Sequence, residues 1–212
     1  MEKFKTPKGT LEWVIISGEG KENLSGKLQY TANLVLTPET DPQHQAFIEK
    51  VEDFWEANKP DKFTGKCKSN GIYAYKEKNE DGEFVEVPGK FYVALKTGTT
   101  YASGEAKVVK VFNSKAAEVQ LGKQKIANGS VGYLYGAMDI YKNVNPKKKD
   151  QILEAGVTMY LDAVQLTKFV PYAGGVEAEA DTEEGGWDGS DLNDSGVEPE
   201  APAAESQAKP RL

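Results

Sequence analysis

Hydrophobic and polar residues alternate along most of the first 175 residues, and the period is that of strands. From Leu28 to Leu36, Leu28, Tyr30, Ala32, Leu34 and Leu36 fall on one face, with Gln29, Thr31 and Asn33 on the other. Such alternation marks a half-buried strand. Ser130 to Tyr141 alternates in the same way. Its even positions Leu134, Met138 and Ile140 form an apolar face, and its odd positions carry Tyr133, Tyr135 and Tyr141. Lys90 to Lys96 points Phe91, Val93 and Leu95 inward and Lys90, Tyr92 and Lys96 outward. Further strands are expected at Leu11–Ser17, which contains the apolar run Trp13-Val14-Ile15-Ile16, and at Ala106–Phe112. A last strand is expected through Val157, Met159, Leu161 and Ala163. Ile72–Lys78 and Glu83–Val87 flank Asn79-Glu80-Asp81-Gly82, a hairpin signal.

One segment changes period. Phe47, Ile48, Val51, Phe54 and Trp55 make a single helical stripe, and Glu49, Glu52, Asp53 and Glu56 cover the opposite face. Asp41 is a suitable N-cap, and Pro42 fits the first helical position, where its missing N–H costs nothing. Asn58-Lys59-Pro60 ends the helix. His44 reads as a solvated residue of the first turn, off the stripe.

Many short strands, one helix and no βαβ rhythm predict a mostly β fold. The expected architecture is a small antiparallel, OB-like barrel of about 175 residues with extra hairpins. Residues 176–212 lack apolar periodicity and are rich in Glu, Asp, Gly, Ala and Pro. They cannot bury enough surface to offset chain entropy, so a disordered acidic tail is expected there.

Charge sharpens this division. Of 33 acidic and 26 basic residues, 11 acids and two bases lie in 176–212, leaving 22 acids and 24 lysines in 1–175. The net charges are −9 and +2, against −7 for the whole chain. An asymmetry of this kind points to nucleic-acid or membrane work. No apolar run is long enough to span a bilayer, and the start Met-Glu-Lys-Phe-Lys leads into no apolar signal segment, so no membrane partner is expected.

The chemistry available is narrow. With one histidine, one cysteine and one arginine, the body has no zinc-finger, disulfide or histidine-rich metal site. His44 has no partner motif for catalysis. Cys67 lies between Lys66 and Lys68, which would lower its pKa, but no acid–base group accompanies it. Gly20 to Gly26-Lys27-Leu28 has neither the spacing nor the hydroxyl of a phosphate loop. The helix acids are the charged face of an amphipathic helix. No enzyme, cofactor or metal is expected.

Nucleic-acid binding is the chemistry the strand faces suit. Tyr133, Tyr135 and Tyr141 lie on one outward face. Tyr92 stands between Lys90 and Lys96. Tyr73 and Tyr75 alternate beside Lys76 and Lys78, and Lys107 and Lys110 flank another strand. Aromatic rings stack on bases and lysines follow phosphates, at about 1–3 kcal/mol per stacked base and with little sequence preference. A body with lysine and no arginine suits phosphate tracking better than base readout. The competing reading is an acidic protein-interaction module or DNA mimic that binds a nucleic-acid-processing enzyme, suggested by the tail and the acidic helix face.

Three stretches carry a family resemblance. They are Ile126-Ala127-Asn128-Gly129-Ser130 running into Tyr133-Leu134-Tyr135 and Asp139-Ile140-Tyr141-Lys142; Ala155 through Val164; and Gly174-Gly175 followed by acids around Trp187-Asp188. With Leu34-Val35-Leu36-Thr37-Pro38 leading into the helix, the chain resembles the phage-encoded single-stranded-DNA-binding proteins of the replisome. The resemblance implies DNA replication and recombination in the cytoplasm of an infected bacterium. It implies DNA contacts on the Ser130–Tyr141 and Lys90–Lys96 strands. It also implies a tail that competes with DNA and recruits a polymerase, helicase or primase. The family's tail ends in acids and an aromatic, whereas this one ends Lys209-Pro210-Arg211-Leu212. Docking would then fall to Trp187, Asp188, Asp191 and Leu192. Unpaired strand edges leave a homodimer open.

Overall fold

The computed structural model describes residues 1–61 and 63–172. The expected tail, with Trp187, Asp188, Asp191 and Leu192, lies outside the described residues. Nine strands and one helix follow in the order β1 (Glu2–Lys5), β2 (Gly9–Ile15), β3 (Lys21–Glu22), β4 (Leu28–Leu36), α1 (Pro42–Asn58), β5 (Ile72–Lys78), β6 (Phe84–Gly98), β7 (Lys110–Phe112), β8 (Ser130–Asn145) and β9 (Lys148–Lys168).

Five of these strands close a barrel in the order β2-β4-β6-β9-β8 and back to β2. All neighbours are antiparallel except β6 and β9, which meet in parallel at Lys96 and Tyr160. This is the connectivity expected of an OB-type barrel. The other strands extend its edges. β1 continues the β2 edge of β8, β3 pairs with β4, β5 with β6, and β7 with β9.

The alternation read from sequence is what fills the interior. Leu11, Leu34, Leu36, Val93, Leu95, Leu134, Met138, Met159, Leu161 and Leu166 are all fully buried. Each such side chain stabilises the fold by about 1.5–3 kcal/mol. The stripe of α1 joins the same core through Phe47, Val51, Phe54 and Trp55. Asp41 caps the helix, its carboxylate accepting from the Gln43 N–H at 2.8 Å. No described helix is long and apolar enough to cross a membrane.

Several expectations need correction. His44 is buried, not solvated. Its Nδ1 accepts from the Thr37 N–H at 2.9 Å, and its Nε2 donates to the Lys8 carbonyl at 2.8 Å. The ring thus joins the start of α1 to the segment between β1 and β2. Leu28 is exposed at the open end of β4. The Ala106–Phe112 strand shrinks to β7, although Val109 and Val111 are buried as read. The two strands expected at 83–87 and 90–96 are one bent strand, β6. The β5–β6 register breaks between Ala74 and Lys76, which absorbs Pro88 and Gly89. The β8–β9 hairpin is also longer than read, pairing from Val131–Lys168 out to Asn145–Lys148.

Candidate nucleic-acid interface

The outer face of β4 and β6 carries a groove, and the residue that shapes it is Trp13. Strict alternation on β2 would put Leu11, Trp13 and Ile15 on one face. The β2–β4 register instead breaks between Glu12 and Ile15. Trp13 takes a left-handed backbone (φ 52°), Val14 turns into the core, and the indole is left 66% exposed. A bulge re-aims a side chain in this way. The Trp13 N–H, freed from the ladder, donates to Asn128 Oδ1 at 2.8 Å. A non-glycine residue held left-handed costs about 1–3 kcal/mol, and such strain concentrates at functional sites.

The register then lays out the groove floor. Asn33 stands opposite Glu12 on one side and Ala94 on the other. Tyr92 stands opposite Val35 and Tyr73. The Tyr73 and Tyr92 rings stack at 5.3 Å with 28° between their planes. Trp13, Asn33, Tyr73, Tyr75, Phe84 and Tyr92 line the groove with Glu12, Lys76, Glu86 and Asn128. Phe84 is 66% exposed at the outer end of the β5–β6 hairpin.

Tyr75 is the fixed post of this groove. Its hydroxyl donates to the Glu12 carboxylate at 2.8 and 3.0 Å, and the Lys90 ammonium sits 3.8 Å from its ring centroid. Burial, and then the Glu12 carboxylate, push its phenol up to about 12, so it stays neutral. Burial also pushes Tyr92 up. Lys90 and Lys76 are both engaged with carboxylates, Lys90 with Glu77 at 2.8 Å and Lys76 with Glu86 at 3.3 Å. Lys96 is exposed beside Thr31 and Tyr160 and has no carboxylate partner among the described residues.

Tyr141 joins this group through the backbone. It pairs with Gly156 on β9, whose neighbour Val157 donates to the Ser69 carbonyl at 2.8 Å. The Ser69 hydroxyl lies 3.0 Å from the Tyr73 hydroxyl. Gly156 permits the approach: a Cβ there would stand 2.3 Å from the Ser69 carbonyl oxygen and 2.7 Å from the Tyr141 ring. Burial raises the Tyr141 phenol as well. Cys67 lies in the same segment, and its thiol is pushed up by burial, where the flanking lysines suggested a lowered value. It donates to the Ser69 carbonyl at 3.3 Å.

Tyr133 and Tyr135 form a separate patch. Tyr135 precedes Tyr141 by six residues of β8, about 20 Å of extended chain. Lys5 of β1 reaches over both rings, at 3.7 Å from the Tyr133 centroid and 5.3 Å from that of Tyr135. The Tyr135 hydroxyl donates to Gln165 Oε1 at 2.8 Å. Lys110 pairs with Ala163, the β9 partner of Tyr135, and its ammonium contacts Glu118 at 3.0 Å. Of the residues singled out from sequence, Tyr73, Tyr75, Tyr92, Lys90 and Tyr141 thus converge. Tyr133, Tyr135 and Lys110 lie on the second patch, and Lys96 stands near the barrel seam. Trp13, Phe84, Asn33 and Asn128 are additions that the structure supplies.

Among the described residues no group of three or more His, Cys, Asp or Glu could hold a metal. No protein-family model matches the chain, and no curated protein matches it. Solved structures do. The single-stranded DNA binding protein gp2.5 of bacteriophage T7 superposes with a TM-score of 0.53 at 17% identity, over 84% of this chain and 98% of that one. The single-stranded DNA-binding protein of bacteriophage Enc34 in complex with ssDNA gives 0.51 at 13% identity, over 80% and 89%. Its C-terminal truncation gives 0.51 at 11%, over 80% and 88%. At these identities the likeness is one of fold, and it agrees with the closed five-stranded barrel.

Proposed function

We propose that this chain is a sequence-independent single-stranded-DNA-binding protein that coats unpaired strands during phage DNA replication and recombination. One observation carries the reading. The exposed Trp13 and the stacked Tyr73–Tyr92 pair share a groove on the outer face of β4 and β6. These are the second and third strands of the barrel, the face on which OB folds take oligonucleotides. Aromatic faces stack on any base, so the interface favours unpaired strands over particular sequences. The fold likeness to phage proteins that bind single-stranded DNA supports it. Titration with oligo-dT at low salt tests it: tryptophan emission should be quenched. Micromolar protein showing no binding at all would refute the reading and favour an acidic interaction module.

The tail has a proposed role of its own. A segment of net charge −9 tethered to the body acts at high effective concentration. It competes with DNA for the cationic surface and recruits a polymerase, helicase or primase in the host cytoplasm. Deleting 176–212 should raise affinity and loosen selectivity against duplex. Unchanged affinity at low salt would refute the competition.

A further inference from the structure

We propose that Asn128 is a positioning residue for DNA binding: its side chain fixes the direction in which Trp13 is presented. The inference rests on the single-stranded-DNA reading and names a residue that acts on the interface through another.

The β2–β8 ladder shows where Asn128 stands. It pairs Gly9 with Gly132, Thr10 with Val131 and Leu11 with Ser130. Continued in the same register, it sets Trp13 opposite Asn128. The backbone ladder stops short of that rung, because Gly129 turns left-handed (φ 91°) and carries the chain away from β2. The Gly129 N–H makes the last backbone contact, to the Leu11 carbonyl at 3.2 Å. The next rung is made by a side chain. Asn128 Oδ1 accepts the Trp13 N–H at 2.8 Å, in the role a backbone carbonyl has in a regular ladder. The Trp13 carbonyl in turn accepts from the Thr31 hydroxyl at 3.4 Å. Both peptide groups of the left-handed residue are thus held by side chains, and the shorter bond is that of Asn128. A left-handed backbone at a non-glycine residue persists only where its surroundings over-determine it.

The turn that carries Asn128 is itself tied down. The Ala127 N–H donates to the Val170 carbonyl at 2.9 Å, and the Val170 N–H donates to the Ser130 hydroxyl at 3.0 Å. Residues on both sides of Asn128 are therefore fastened to the segment that follows β9, which makes Oδ1 a fixed point. Asn128 is exposed, so water can satisfy the Trp13 N–H once the amide is removed, and little stability is lost. What water cannot supply is a fixed direction. The indole, two-thirds of it free of packing, depends on its backbone for its aim.

The experiment uses the full chain in a Trp187→Phe background, which leaves Trp13 and the buried Trp55 as its tryptophans. The near-UV circular dichroism band that Trp13→Phe removes belongs to Trp13 and reports how firmly its indole is held. Asn128→Ala should diminish that band. Asn128→Asp keeps an acceptor for the N–H and should restore it. The melting temperature of Asn128→Ala should stay within about 4 °C of its parent. Oligo-dT affinity, read by anisotropy of the labelled strand, should fall about 2- to 12-fold in Asn128→Ala, the range of one neutral hydrogen bond. Added to Trp13→Ala, the same substitution should cost no further affinity, because nothing is left to aim. An unchanged band, or a band no stronger in Asn128→Asp than in Asn128→Ala, would overturn the proposal. Equal weakening with and without Trp13, or a fall in melting temperature with affinity unchanged, would overturn it too. If the parent chain binds no oligo-dT, the single-strand reading fails instead, and the near-UV band still decides whether Asn128 holds Trp13.

Discussion

Replacing Trp13 by glycine and, separately, by alanine separates what its side chain does from what its backbone costs. Both changes remove the indole. Since 66% of the residue is exposed, about 80 Å² of packed surface goes with it, worth about 2 kcal/mol at ~25 cal/mol per Å². The two variants share that loss. They differ in the backbone, because φ is 52° at this position. Alanine keeps a Cβ and with it a left-handed penalty of about 1–2 kcal/mol, whereas glycine is free of it. Trp13→Gly should therefore be more stable than Trp13→Ala by about 1 kcal/mol, or about 2–4 °C in melting temperature for a domain of this size. Its net destabilisation against the wild type should be no more than about 1–2 kcal/mol. Paired urea and thermal unfolding curves measure the difference. Both variants should lose oligo-dT affinity to the same degree, because neither can stack. If Trp13→Ala proved as stable as Trp13→Gly, the left-handed bulge would not exist in solution. If both kept full affinity, the indole that the bulge exposes would have no role in ligand binding.

His44→Ala should leave the Thr37 N–H and the Lys8 carbonyl without the ring that joins them. At about 1–3 kcal/mol for each buried orphan, the melting temperature should fall by roughly 4–20 °C, while oligo-dT affinity of the folded protein stays unchanged; a loss of binding without a loss of stability would show that His44 contributes to the binding surface. Tyr75 tests the pH dependence. Its folded value of about 12 lies above the ordinary 10.0, so the stability it contributes is complete below pH 10 and is lost as pH rises through 12. The urea midpoint should drop over that interval and drop less in Tyr75→Phe; identical alkaline profiles would show that the Glu12 contact does not hold the phenol. Gly156→Ala should push the Ser69 carbonyl and Tyr141 aside, costing about 1–3 kcal/mol as overpacking does, and calorimetry should show a lower melting temperature; an unchanged one would mean that the 67–71 segment is not seated on β9.

The barrel was legible because its strands obey their period. β4 and β8 alternate over long stretches, and the interior found is largely the apolar face read: Leu34, Leu36, Leu134 and Met138. The helix was legible from its cap as much as from its stripe. The burial of His44 does have a mark in the sequence: it stands three residues before Phe47 and seven before Val51, on the same stripe, and a polar residue on an apolar stripe asks for a buried partner. Trp13 could not be found by periodicity, since a bulge inverts the alternation it depends on, and nothing in Trp13-Val14-Ile15-Ile16 marks where the register slips. Nor does sequence say which tyrosines meet. Tyr73 and Tyr141 lie far apart along the chain and are joined through Ser69 and Gly156 by tertiary pairing alone.

The lysines make the deeper point. Counted along the chain, 24 of them against 22 acids give residues 1–175 a slight positive balance, and their alternation with tyrosine suggests cationic strand faces. In the fold Lys68, Lys76, Lys90 and Lys110 each lie against a glutamate. Exposed pairs of this kind are worth about 0–1 kcal/mol, so a phosphate displaces the carboxylate at little cost but also gains little by doing so. Such glutamates act on the body as the proposed tail does, by lowering what any polyanion can gain from the surface. Duplex and single strand present phosphates alike, and that loss falls on both. What the duplex cannot present without being opened is the face of a base. On this reading, selectivity follows from the weakening of the charge contribution, which leaves the aromatic groove to decide which nucleic acid stays bound.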